Sequence, residues 1–242
     1  MKPKILNYGS LNIDTVYRVP HFVQPGETLT CASLETFAGG KGANQSVALA
    51  RAGAIVFHAG NIGKDGLWLR EKLNSNGVNT QFLSVSLEET GHAIIQVDDC
   101  GENSIILYGG ANRKIKKEDI QKTLSKFEAG DYLLLQNEIN LVDYLIEEGS
   151  KKGLHVCFNP APFDTNSLRY PLQLVKILIV NVVEGAGLTG KNNETDIIDQ
   201  LHDLLPHTEI ILTAGKKGAY YRYKNETIHV PAEDIDVVDT TA

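Results

Sequence analysis

Cysteine is sparse in this sequence. Cys31, Cys100 and Cys157 are odd in number and widely separated, so they outline neither a disulfide framework nor a zinc site, and a reducing, cytoplasmic setting is expected. Runs of basic residues are missing, and the net charge is -7; nucleic acid and anionic membranes are therefore not expected partners. The longest apolar stretch, around Ile177 to Val183, is interrupted by Asn181 and is too short to span a bilayer. Met1 to Asn7 lacks the apolar centre of a signal peptide. The histidines form no HExxH and no GxSxG elbow occurs, which weakens zinc-peptidase and hydrolase readings. A Walker A loop is absent too. Gly40-Lys41, Gly63-Lys64, Gly190-Lys191 and Gly215-Lys216 are followed by Gly42, Asp65, Asn192 and Lys217, where that loop needs Ser or Thr.

What is present fits one large domain, or one domain with a small appendage: 242 residues, 42% hydrophobic and 22% charged. The stretch from Phe37 to Gly53 stands out. Gly39, Gly40 and Gly42 surround Lys41, and Ala43, Val47 and Ala50 then recur at helical spacing up to Gly53. A helix N-terminus facing this turn favours a negative or strongly polar ligand, helped by Lys41 and the Asn44 amide. A tight turn before a closely packed helix is the competing reading.

Ile5 to Tyr8 reads as a strand running into Gly9-Ser10-Leu11-Asn12-Ile13-Asp14. In an extended segment Asn12 and Asp14 point the same way and could grip neighbouring hydroxyls; a solvated loop is the alternative. Thr28 to Phe37 has strand-like composition. Ala93 to Val97 and Ser104 to Tyr108 flank a hairpin-like turn at Asp98 to Glu102. Together these regions read as a small antiparallel sheet added to something larger.

Elsewhere strands alternate with helices. Ile55 to Ala59, Tyr132 to Leu135, His155 to Phe158, Ile177 to Val180 and Ile210 to Leu212 read as strands, with helices near Asp65 to Leu73 and Leu141 to Glu148. Such alternation predicts an α/β fold with a largely parallel sheet covered on both faces. Four apolar runs end on Gln136, Asn159, Asn181 and Thr213. Ligands bind beyond the carboxyl ends of strands in such sheets, so these ends predict one lined crevice. Gly185-Ala186-Gly187-Leu188-Thr189-Gly190 matches GxGxxG, but Lys191 to Glu194 then reads as a turn where a dinucleotide fold needs a long helix.

The segments Gly9–Asp14, Gly39–Asn44, Gly60–Asp65, Asn159–Pro162 and Thr213–Gly218, taken in order, resemble the ribokinase-like family of carbohydrate kinases over essentially the whole chain. The resemblance implies a three-layer α/β/α kinase domain over 1–242 with a small β-sheet lid from roughly 15–38 and 91–110. It implies transfer of the γ-phosphate of ATP to a sugar hydroxyl, ribose to ribose 5-phosphate being favoured, with Mg²⁺ and a monovalent cation such as K⁺. Carried over by position, Asn12, Asp14, Gly40, Lys41, Asn44 and Glu138 hold the sugar, with Asn112 approaching from the lid. Asn181 and Glu184 organise Mg²⁺ and phosphates largely through water. Thr213, Gly215 and Gly218 line the nucleotide, and Asp239 with the Thr241 backbone holds the monovalent cation. The resemblance also implies a homodimer through the lid.

Two departures accompany it. Gly185 and Gly187 fall where the family continues a helix, each costing about 1 kcal/mol relative to alanine, and a looser nucleotide end is expected. The family's Gly-rich turn and catalytic aspartate would follow Ala242, so a chain ending there is expected to bind substrate without turning it over. A nucleoside kinase of the same fold, or a non-catalytic sugar-binding protein for such a chain, are the alternatives.

Overall fold

The structure, a computed structural model, describes residues 2–233. Asp239 and Thr241, expected at a cation loop, lie outside the described residues. In chain order the elements are β1 (Lys4–Tyr8), β2 (Asn12–Arg18), β3 (Ser33–Gly39), α1 (Lys41–Arg51), β4 (Ile55–Ile62), α2 (Leu67–Ser75), β5 (Asn79–Val85), β6 (Gly91–Val97), β7 (Asn103–Tyr108), α3 (Lys117–Leu124), β8 (Tyr132–Gln136), α4 (Val142–Lys151), β9 (His155–Asn159), β10 (Ile177–Asn181), α5 (Val182–Thr189), α6 (Glu194–Leu204), β11 (Glu209–Thr213), β12 (Ala219–Tyr223) and β13 (Glu226–Val230). No helix among the described residues is long and apolar enough to cross a membrane.

The chain forms two compact units. One holds the described residues up to Tyr8 and those from Lys116 on. Its strands run in the order β13-β12-β11-β10-β9-β8-β1, parallel from β1 through β11 and antiparallel over β12 and β13. Continuous apolar runs explain this sheet: Leu133, Leu135, Val156, Phe158, Leu178, Ile210 and Leu212 are all fully buried. Strands buried on both faces need no polar alternation. The amphipathic helices supply Leu145, Ile146, Ile197 and Leu201 as cover.

The other unit, Gly9–Ile115, contains the parallel pair β4–β5 and a four-stranded sheet in the order β3-β2-β6-β7. Leu11, Ala43, Val56, Ile62, Leu69, Leu73, Val78 and Leu83 form its main core under α1 and α2. The four-stranded sheet has a thin core of its own, Ala93, Ile95 and Val97 with Val16 against them. In that sheet β2 pairs with β3 antiparallel and with β6 parallel, so the expected purely antiparallel insertion is in fact mixed. A parallel neighbour is possible because the chain between β2 and β6 is long enough to cross over. The strand expected over Thr28 to Phe37 begins only at Ser33. Strand β5 and the hairpin β12–β13 carry no expectation from the sequence.

Candidate functional site

Ser10 fixes the start of α1. Its Oγ accepts from the Gly42 N–H at 3.2 Å, and its carbonyl accepts from the Ala43 N–H at 2.9 Å, while the Asn44 N–H goes to the Gly40 carbonyl. The first N–H groups of a helix ordinarily lack intrahelical partners. Here those of Gly42 and Ala43 are already spent, so the expected anion site at this helix end is reduced, and Lys41, at the first helical position, carries the positive charge. Gly40 reaches the helix at φ 94, a left-handed value that side chains resist. A Cβ on Gly42 would stand 2.5 Å from the Ser10 nitrogen and 2.7 Å from Gly9 backbone atoms, none of which can swing aside. Gly42→Ala is expected to cost about 1–3 kcal/mol of stability through overpacking. Denaturant unfolding checks it, and an unchanged midpoint would contradict the packing.

Asn12 and Asp14 lie on β2 rather than in a loop, at the spacing that shares a face. Asn12 is buried, and its Oδ1 accepts from Asn112 Nδ2 at 2.8 Å. A Cβ on Gly39 would fall on the Asp14 carboxylate, so that carboxylate occupies the room the missing side chain leaves. Asn44 is exposed and lines a cavity of about 280 Å³ with Leu11, Ala38 and Val47, and with Arg51 and Lys72 at its polar side. Asn12, Asp14, Gly40 and Lys41 do not line that cavity. Fully buried His58 on β4 joins α1 to the segment between β1 and β2: Ser46 Oγ lies 2.8 Å from Nδ1 and the Gly9 carbonyl 3.3 Å from Nε2. A carbonyl can only accept, so Nε2 bears the proton and Ser46 donates to Nδ1. Burial pushes the imidazole pKa down to about 4 and keeps it neutral.

The remaining predicted residues stand in the other unit. Glu138 is buried in the turn after β8. The strand ends meet as expected: Gln136 is in register with Asn159, Asn181 is in register with Thr213, and Asn159 Nδ2 donates to the Ile179 carbonyl at 2.9 Å. Asn181 caps α5 in a reciprocal box. The Glu184 N–H donates to its Oδ1 at 2.8 Å, and its own N–H donates to Glu184 Oε2 at 2.9 Å. Asn181 Nδ2 reaches Glu184 Oε1 at 3.0 Å, and Asn159 Nδ2 reaches Oε2 at 3.3 Å. Gly185 and Gly187 lie within α5. A Cβ on Gly185 would meet Ile197 at 2.6 Å, and one on Gly187 would meet the Phe163 ring at 2.5 Å, so small size there lets α6 and Phe163 pack close. Gly215 opens a single turn over Gly215–Lys217, and Gly218 closes it at φ 89 against the Val230 carbonyl.

No local signal in the sequence marks Ser46, His58 or Gly91: Ser46 and His58 meet where α1 packs on β4, and Gly91 comes beside Asn12 through the pairing of β6 with β2.

The pfkB family carbohydrate kinase model matches residues 2–242. Ribokinase of Haemophilus influenzae is 34% identical over 252 residues, covering 100% of this chain and 82% of its own. Deoxyribokinase of Salmonella typhi is 32% identical over 243 residues, covering 96% and 79%. Among solved structures, Arabidopsis thaliana ribokinase complexed with ribose and ATP superposes with a TM-score of 0.85 at 29% identity, covering 100% of this chain and 82% of that one. With its mostly parallel sheet, its separate small sheet and a family match along nearly its entire length, this chain belongs to the pfkB family of carbohydrate kinases.

Proposed function

We propose that this sugar kinase transfers the γ-phosphoryl group of ATP to ribose, forming ribose 5-phosphate and ADP. The bond from the γ-phosphorus to ADP breaks as the bond to the sugar hydroxyl forms, and the hydroxyl releases its proton. The observation that carries the reading is the Asn12–Asp14 pair on one face of β2. A carboxylate accepts hydroxyl protons and an amide can donate to a hydroxyl oxygen, so the pair suits adjacent hydroxyls on a bare sugar. Gly40, Lys41 and Asn44 belong to the same proposed sugar site, and Asn181, Glu184, Thr213, Gly215 and Gly218 to the nucleotide side. Glu184 already accepts from Asn181 and Asn159, which suits contact with hydrated Mg²⁺ through water. The ion, when bound, would neutralise phosphate charge. ADP release measured with ribose, 2-deoxyribose and adenosine, on the chain carried on past Ala242 through a Gly-rich turn and its aspartate, tests the assignment. Ribose is expected to give the highest kcat/KM, and preference for adenosine would overturn it.

A homodimer through the four-stranded sheet is part of this proposal. Its edge strands β3 and β7 are exposed, with Leu34 and Ile106 57% and 63% accessible, and unpaired edges invite pairing with a second copy. Leu34→Lys with Ile106→Glu is expected to give a monomer by light scattering. A parent protein that is itself monomeric would rule the dimer out.

A further inference from the structure

Asn112 lies in the short turn Gly110–Arg113 and is buried, 100 residues along the chain from Asn12. Both amide hydrogens and the amide oxygen are engaged. The Leu11 N–H donates to Asn112 Oδ1 at 3.0 Å, and Asn112 Nδ2 donates to the Leu11 carbonyl at 3.1 Å and to Asn12 Oδ1 at 2.8 Å. The Leu11 pair settles which end of the amide is which. A backbone N–H can only donate and a backbone carbonyl can only accept, so the atoms facing them are the oxygen and the nitrogen respectively. The remaining Nδ2 hydrogen then obliges Asn12 to turn its oxygen toward Asn112.

We propose that Asn112 is a positioning residue that sets the polarity of the Asn12 amide, so that Nδ2 is the end a sugar meets. Beside a carboxylate that only accepts, this gives the substrate one donor and one acceptor on the same strand face. The device depends on Gly91, which pairs in register with Asn12. A Cβ there would stand 2.5 Å from Asn12 Oδ1 and closer still to Asn112 Nδ2. The inference rests on the reading of Asn12 as a sugar-binding residue.

Asn112→Asp is the direct test. Aspartate still accepts from the Leu11 N–H but has no donor for Asn12, whose amide is then expected to turn over and present its oxygen. Calorimetry should show the ribose Kd raised at least about tenfold and the ATP Kd changed by less than about twofold, the size expected for one misdirected buried polar contact. Gly91→Ala should weaken ribose in the same selective way. In the unaltered protein, the Asn12 side-chain NH₂ signal should shift on adding ribose while the Asn112 NH₂ signal stays in place. Parent-like ribose affinity in Asn112→Asp, an equal loss of ribose and ATP binding, or a ribose-induced shift at Asn112 would each overturn the proposal. A parent that binds ATP but no ribose would overturn the sugar assignment itself, and this inference with it.

Discussion

Asp14→Ala is expected to raise the Kd for ribose at least tenfold, with ATP binding nearly unchanged. A carboxylate accepting hydroxyl protons makes charge-assisted hydrogen bonds worth roughly 1.5–3 kcal/mol each, and about 1.4 kcal/mol is a factor of ten in Kd. The carboxylate is backed by Gly39, so its truncation leaves the core of Leu11, Ile62 and Leu69 intact. Stability should therefore change little. Calorimetry on parent and variant decides the matter: equal ribose affinity would remove Asp14 from the sugar site.

The second large effect concerns His58. Its folded-state pKa of about 4 lies below the ordinary value of 6.5, so the unfolded chain takes up a proton before the folded one does. The stability tied to the neutral ring is present above about pH 6.5 and is lost as the pH falls toward 4. Between neutral pH and about pH 4.5 the loss from this residue is about 2 kcal/mol, since a tenfold difference in proton affinity between the two states is worth about 1.4 kcal/mol. Denaturant unfolding across that range should show a steeper decline in the parent than in His58→Gln, which cannot be protonated there. Carboxylates titrate in both proteins, so the difference between the two slopes isolates the imidazole. Identical slopes would mean that the ring is hydrated or charged in the folded protein. The protonation site is Nδ1, the atom that receives the Ser46 hydroxyl, so acid should also loosen α1 from β4.

Much of this protein was decided by local pattern. Apolar runs such as Leu133-Leu134-Leu135 and Ile177-Leu178-Ile179-Val180 specify strands buried on both faces, and their polar terminal residues mark the carboxyl edge where Gln136, Asn159, Asn181 and Thr213 stand together. The spacing of Asn12 and Asp14 is enough to put both on one side of a strand, because side chains alternate there. The box by which Asn181 and Glu184 cap α5 is equally local, its two residues standing three apart.

Long-range hydrogen bonding and close packing were decided only in three dimensions. Nothing near Asn112 in sequence says that it will seat on Leu11 and Asn12; that follows from β6 pairing with β2 and bringing Gly91 alongside Asn12. Ser46 and His58 meet because α1 packs on β4, and a buried ring must then find partners for both nitrogens. Gly185 and Gly187 are, in the sequence, only glycines in a helix; that Ile197 and Phe163 stand where their side chains would be is set by the packing. Periodicity specifies which face of an element is apolar. Which other element covers that face, and which polar atoms are buried with it, is set by the pairing of segments far apart in the chain.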